Sequence, residues 1–235
     1  MIMVINKGRE AFRIYKNVFD NFTIQTILKF MSRKYIDGLI GPIMIGKEAN
    51  IFLAEKGDLK VVMKIYRLQS CNFNTMYGYL KSDPRYVNLK KQRRKVIFKW
   101  VQREFRNLKK SNKIINAPKP YSFLNNVLLM EYIGDENPAP QLKDKYPKNP
   151  KKFYDEIITF AKKMYEAGLV HADLSEYNIL NFNESPVFID MSQSTSITDY
   201  LADDYLKRDI NIISNFFIKN GLEVDVDASI KRISD

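Results

Sequence analysis

Three oxygen-bearing side chains stand close together in the second half of the chain. Asp173 and Asn178 lie within His171-Ala172-Asp173-Leu174-Ser175-Glu176-Tyr177-Asn178, and Asp190 ends the strand-like run Val187–Asp190 that follows. One carboxylate can orient an incoming hydroxyl and take its proton. An amide oxygen and a second carboxylate suit magnesium, a hard cation that prefers oxygen ligands and often sits on phosphates.

Two further ionisable residues interrupt apolar patterns. In Val61-Val62-Met63-Lys64-Ile65-Tyr66 the neighbours of Lys64 are apolar on both faces, so its ammonium must meet an anion or lose its proton. Glu104 shares a helical stripe with Ile97, Trp100, Val101, Phe105 and Leu108, although it is one of two acids in the most basic stretch of the chain. The economical arrangement pairs Lys64 with Glu104 inside the first half. The other reading is a surface lysine and a surface glutamate on elements displaced by one residue. A buried pair is weak evidence of stability, since desolvation offsets the attraction, so a functional reason is worth seeking. The segment His171–Asn178 fits H-x-D-L-x-x-x-N, the catalytic-loop pattern of protein kinases, and supplies that reason. In such a site Lys64 grounds the α- and β-phosphates of ATP, Glu104 fixes Lys64, and Asn178 and Asp190 hold magnesium. Asp209 is a third interruption, sharing a face with Leu206, Ile213 and Phe216. A buried helical aspartate accepts backbone amides and would hold a nearby loop in shape; a helix edge is the alternative.

The elements that must carry these residues follow from periodicity and breakers. A helix is predicted over 23–35, with Thr23 as N-cap and Ile24, Ile27, Leu28, Met31 and Tyr35 inward. Strands follow at Ile43–Ile45, Ile51–Ala54 and Val61–Tyr66, the last two joined by a Glu55–Asp58 turn. Residues 68–87 lack clean periodicity and read as a long mobile loop. Then come a helix from Val87 or Lys90 to Lys110, strands Tyr121–Leu124 and Val127–Tyr132, and a Pro- and Lys-rich linker from Gly134 to Pro150. A helix over Lys152–Ala167, two short β runs (Ile179–Leu180 and Val187–Asp190) and a helix over Asp199–Lys219 complete the chain. The order gives an α+β protein: a β-rich lobe with one main helix, then a mostly helical lobe.

Composition narrows the function classes. The 235 residues carry 38 basic and 27 acidic side chains. Residues 81–120 hold 14 of the basic residues and only Asp83 and Glu104 as acids, so the excess charge is local. It reads equally as a handle for a polyanion such as RNA or as a solvated helix face. One cysteine, Cys71, excludes an intramolecular disulfide framework, and one histidine argues against zinc sites and Ser-His-Asp chemistry. No run is apolar enough for a membrane span, and Met1–Phe12 is too polar for a signal peptide, so the expected location is cytoplasmic. Gly41-Pro42-Ile43-Met44-Ile45-Gly46-Lys47 imitates a phosphate-binding loop, but Glu48 replaces the Ser or Thr and a strand follows where a helix is needed.

Several strings taken together resemble the RIO family of atypical protein kinases. They are Gly46-Lys47-Glu48-Ala49-Asn50, Met63-Lys64-Ile65-Tyr66, Glu104-Phe105-Arg106-Asn107-Leu108, Met130-Glu131-Tyr132-Ile133-Gly134, His171 to Leu180, and Ile189-Asp190-Met191-Ser192-Gln193-Ser194. Val18-Phe19-Asp20 and the helix after it look like the leader of the type 1 subfamily. The resemblance implies a two-lobed minimal kinase fold that binds ATP and Mg2+, with a leader over 1–40, an N-lobe over 41–133 and a C-lobe over 134–235. It implies that Lys64 binds nucleotide with Glu104 as partner, and that Gly46 and Lys47 cover the phosphates. The hinge around Met130 would take adenine on the backbone of Glu131 and Ile133. Asp173 would be the catalytic aspartate, and Asn178 and Asp190 the metal ligands. In this family the residue matching Asp190 can itself accept the phosphoryl group, and members act in maturation of the small ribosomal subunit and its RNA. The region 81–120 would then meet pre-ribosomal rRNA.

Departures from ordinary protein kinases narrow the activity. Met44 and Ala49 stand at two glycine positions of the phosphate loop, Ser175 replaces the loop lysine, and Ala172 replaces an arginine. Met-Ser follows Asp190 in place of Phe-Gly, and no Ala-Pro-Glu segment follows. This favours autophosphorylation or ATP hydrolysis over ordinary peptide phosphorylation. The alternatives are a small-molecule phosphotransferase and a basic RNA-binding scaffold with a vestigial kinase site.

Overall fold

A computed structural model describes residues 19–81, 83–86 and 88–234. The leader residues 1–18, Val18 among them, lie outside the described residues, as does Val87. The chain divides into two compact units. The first holds the described residues up to Lys81, with Asn88–Phe105 and Pro120–Tyr132; the second holds the described residues of Ser82–Val87, Arg106–Lys119 and Ile133–Asp235.

The first unit is built on an antiparallel sheet of β1 (Gly38–Ile45), β2 (Ala49–Lys56), β3 (Leu59–Tyr66), β5 (Val127–Glu131) and β4 (Pro120–Leu124), in that order. On β3 the two-residue period sorts the side chains. Val61, Met63 and Ile65 join Phe52, Val127 and Leu129 in a core closed by Ile27 and Phe30 of α1 (Asn21–Ser32). The opposite face of β3 carries Lys64 and Tyr66, both hydrogen-bonded to Glu104 of α3 (Arg93–Ser111). All of Val61–Tyr66 is buried, so this strand is covered on both faces.

Helix α1 differs from its expected register. Asp20, not Thr23, is the N-cap and accepts the Thr23 N–H at 2.9 Å. Thr23 and Thr26 point inward because the β4–β5 turn donates to them: Asn126 Nδ2 to Thr23 Oγ1 at 2.9 Å and Asn125 Nδ2 to Thr26 Oγ1 at 3.0 Å. Tyr35 lies past the helix and is exposed. Segment 68–87 is not one long loop. It contains α2 (Phe73–Lys81), whose Met76 and Leu80 are buried one turn apart, and a single 3-10 turn over Pro84–Tyr86. Two apolar residues on one turn are too few for periodicity to register. Helix α3 starts at Arg93, and its inner face carries residues the stripe omitted, Val96, Arg103, Asn107 and Ser111 among them. Arg103 is fully buried and donates to Tyr79 O at 2.6 Å.

The second unit packs α4 (Pro150–Glu166), α5 (Ala202–Lys219) and α6 (Val226–Ser234) with two two-stranded sheets, β6 (Leu169–Val170) with β9 (Thr195–Ser196) and the hairpin of β7 (Ile179–Phe182) with β8 (Ser185–Phe188). Asn149 caps α4, accepting the Lys152 N–H at 3.1 Å, and Pro150 takes the first helical position where its missing N–H costs nothing. The unpredicted α6 is held by Ser229, whose Oγ accepts from Tyr154 Oη at 2.9 Å. The stretch Gly134–Pro150 is irregular but tied down: Leu142 N donates to Ile179 O and Asn181 N to Pro140 O.

Candidate active site

In the first unit the expected pair is present. Lys64 Nζ lies 2.7 Å from Glu104 Oε1, with 6% and 1% of the two side chains exposed. Tyr66 Oη donates to the other carboxylate oxygen, Oε2, also at 2.7 Å. The carboxylate therefore receives a strong donor on each oxygen, which a buried charge requires. Gly46 closes the β1–β2 turn, donating from its N–H to Ala49 O at 3.1 Å. A Cβ there would come within 2.7 Å of that same oxygen, so the turn admits only glycine. Lys47 is exposed beside it, and its carbonyl accepts Ser70 Oγ at 2.9 Å. Met130 and Glu131 end β5, paired with Val62 and Val61 of β3.

In the second unit, Ile133 offers its carbonyl to Ala139 N–H at 3.0 Å. The segment His171–Asn178 joins β6 to β7 as an irregular loop. Asn178 Nδ2 donates to Asp173 O at 2.8 Å and to Asp173 Oδ2 at 3.2 Å, which places its Oδ1 on the opposite side of the amide group. Ile189 N donates to Asn178 O at 3.0 Å, so the loop end and the approach to Asp190 are joined by backbone. Asp190 itself lies two residues beyond β8, not at the end of a strand as expected, because its φ of +59° turns the chain out of the ladder. Ser192 Oγ donates to Asp190 Oδ1 at 2.6 Å and fixes that carboxylate's rotation.

Two non-glycine residues here are left-handed, Ala172 (φ +65°) and Asp190 (φ +59°). Such backbone costs about 1–3 kcal/mol per residue and persists only where the surroundings over-determine it. They do so here. Arg208 donates to Ala172 O, and Asn107 Nδ2 donates to Met191 O at 2.9 Å and Ser194 O at 2.8 Å, pinning the turn after Asp190. Asp209 faces the N–H groups of Ala172 and Leu174, the loop-holding position expected for it, although neither oxygen has a partner of full hydrogen-bonding geometry. Burial pushes its pKa up to about 7, against the opposing pull of Arg208 and those amides. His171 is held neutral by burial, its pKa lowered to about 4, and its Nε2 meets Ile189 O at 3.1 Å. A carbonyl only accepts, so Nε2 carries the proton and the ring is a structural tie.

Among the described residues no group of three or more His, Cys, Asp or Glu forms a metal set. Asn178 and the residue before Asp190 are joined by the Ile189 N–H to Asn178 O bond, and both Asn178 and Asp190 carry side-chain oxygens of the type hard cations prefer. The sequence missed Tyr66, Asn107 and Arg208 as supports. Only Asn107 carried a signal, standing one turn beyond Glu104 on the inner face of α3.

Residues 50–229 match the RIO domain. The chain belongs to the RIO family. It is 41% identical to the RIO-type serine/threonine-protein kinase Rio1 of Methanocaldococcus jannaschii over 97% of its own length and 79% of that protein. Against the Haloferax volcanii protein of the same name it is 36% identical, covering 94% of this chain and 78% of that one. Kinase is thus the enzyme class of this RIO-family chain. A solved structure of the Rio2 kinase–ADP/Mg2+–phosphoaspartate complex from Chaetomium thermophilum superposes with a TM-score of 0.68 at 20% identity, covering 89% of this chain and 65% of that one. That likeness gives the RIO chain a kinase-like fold. No described helix is long and apolar enough to cross a membrane.

Proposed function

We propose that this RIO-family chain is a type 1 serine/threonine kinase and ATPase that binds ATP with Mg2+, phosphorylates itself on Asp190, and serves small-subunit and rRNA maturation. The observation that carries the reading is the double hydrogen bond from Asn178 to Asp173, with Ile189, the residue before Asp190, joined to Asn178 by backbone, in a chain whose buried lysine is gripped by Glu104. Asn178 and Asp190 would hold Mg2+, which supplies charge neutralisation at the phosphates when bound. Lys64 contributes a fixed cation to the α- and β-phosphates, and the backbone of Glu131 and Ile133 receives adenine beside Met130. Gly46 and Lys47 cover the phosphates, with Lys47 doing the work that backbone does in glycine-richer loops.

Asp173 orients the incoming nucleophile and accepts its proton where that nucleophile is a hydroxyl. In the self-phosphorylation route a carboxylate oxygen of Asp190 attacks the γ-phosphorus as the bond to the β–γ bridging oxygen breaks and ADP leaves. Water then cleaves the acyl phosphate to return Asp190 and release phosphate. The phosphoaspartate of the Chaetomium Rio2 complex supports this route. For an rRNA partner the support is on α3 and its neighbours. Arg93 lies 4.4 Å over Phe73, Arg94 5.0 Å over Phe22 and Lys91 5.6 Å over Tyr77, so cations stand beside aromatic rings, the two residue classes that single-stranded nucleic acid binds.

The test is incubation with γ-labelled ATP and magnesium, comparing wild type with Asp190→Asn. Label on wild type that hydroxylamine removes, and none on Asp190→Asn, is the expected result. Hydroxylamine-stable label on serine would overturn the Asp190 route, and absence of both label and ATP turnover would overturn the kinase reading.

A further inference from the structure

The Lys64–Glu104 pair is not isolated. Tyr66 donates its hydroxyl to Glu104 Oε2 at 2.7 Å, and its own backbone is clamped at both ends by Asn126. Tyr66 N donates to Asn126 O and Asn126 Nδ2 donates to Tyr66 O, each at 2.8 Å. The second hydrogen of that amide goes to Thr23 Oγ1 at 2.9 Å, and Thr23 Oγ1 donates onward to the helix cap Asp20 Oδ2 at 3.1 Å. Thr23, Tyr66, Glu104 and Asn126 are each no more than 3% exposed. Thr23 also precedes the residues that match the RIO domain, which start at 50.

We propose that Tyr66 is a positioning residue for the nucleotide lysine, locking Glu104 through its second oxygen and tying that lock to the capped start of α1 through Asn126 and Thr23. Rotation of the Glu104 carboxylate would carry Lys64 Nζ with it, and Tyr66 blocks that rotation. Because Asn126 holds the Tyr66 backbone that carries the phenol, loosening the α1 end shifts the phenol against Glu104 and reaches the ammonium without touching it. The inference rests on Lys64 contacting the α- and β-phosphates.

Calorimetric titration with Mg·ADP and with adenosine tests it, since adenosine lacks the phosphates. Tyr66→Phe keeps the ring and should weaken ADP binding about five- to tenfold, the worth of one charge-assisted hydrogen bond, with adenosine unchanged. Thr23→Val should weaken ADP about two- to threefold, and Thr23→Ser should restore it. Equal losses for both ligands, no loss in Tyr66→Phe, or no loss in Thr23→Val would each overturn the proposal. A wild type that binds neither ligand overturns the nucleotide reading instead. The tie is then decided by urea unfolding: Tyr66→Phe and Thr23→Val must be coupled by more than about twofold in the unfolding constant, and additive effects sink it.

Discussion

Asn178 spends both hydrogens of its side-chain amide on one residue, Asp173, holding its carbonyl and one carboxylate oxygen at 2.8 and 3.2 Å. The same group therefore orients the carboxylate proposed for proton transfer and leaves its own oxygen on the opposite side. Removing it, in Asn178→Ala, strips two acceptors of their donor and should cost about 1–2 kcal/mol in urea unfolding. Phosphoryl transfer should fall at least about a hundredfold, as should that of Asp173→Ala. An Asp173→Ala variant with wild-type turnover would instead favour a scaffold with a vestigial site.

The buried pair predicts opposite outcomes for single and double replacement. Lys64→Met leaves Glu104 charged and under-paired at 0% exposure, and should destabilise by about 3–5 kcal/mol. Lys64→Met with Glu104→Leu removes both charges and should recover most of that loss. Both variants should lack ATP turnover. Chemical denaturation beside an activity assay separates the two effects, and a double variant less stable than the single would refute the desolvation argument.

Asp209 gives a pH signature. Its folded pKa of about 7 stands above the ordinary 3.8, so the folded state holds a proton that the unfolded chain has released between those values. Its stabilising term is complete below the lower value and is lost as pH rises through the upper one. Arg208, 3.6 Å away, lowers this pKa, and Asp173 raises it. Asp209→Asn cannot titrate. Between pH 5 and pH 8 its stability relative to wild type should therefore improve by about 2–3 kcal/mol, measured by urea unfolding at each pH.

The exposed cations of α3 and the turn before it make a salt-dependence prediction. Reversing Lys90, Lys91, Arg93 and Arg94 to glutamate should lower affinity for single-stranded rRNA more than tenfold and flatten the salt slope by about 3. Fluorescence anisotropy across a potassium chloride series reads both quantities. Arg103 belongs to a different class, since it is fully buried against Tyr79 and Trp100, so its replacement should act on stability instead.

The chain announces its charged chemistry in one dimension. Lys64 breaks a strand of apolar neighbours and Glu104 breaks a helical stripe, so both periods are visible locally and each residue marks itself as an inward charge. Asp173 and Asn178 are picked out by a loop motif that keeps its spacing, Asp190 by the short apolar run before it, and Asp209 because it interrupts an apolar helix face. Tertiary structure decided what no local period records. Tyr66 reads as one more apolar strand residue until Glu104, 38 positions away, receives its hydroxyl. Thr23 and Thr26 face inward because a distant asparagine turn donates to them, which displaced the expected face of α1. Arg103 is inward because a carbonyl of α2 awaits it, and α2 itself rests on two buried residues, Met76 and Leu80. Periodicity reports where apolar surface must go; hydrogen bonds between residues far apart in sequence are settled only when the folded backbone brings donor and acceptor within 3 Å of each other.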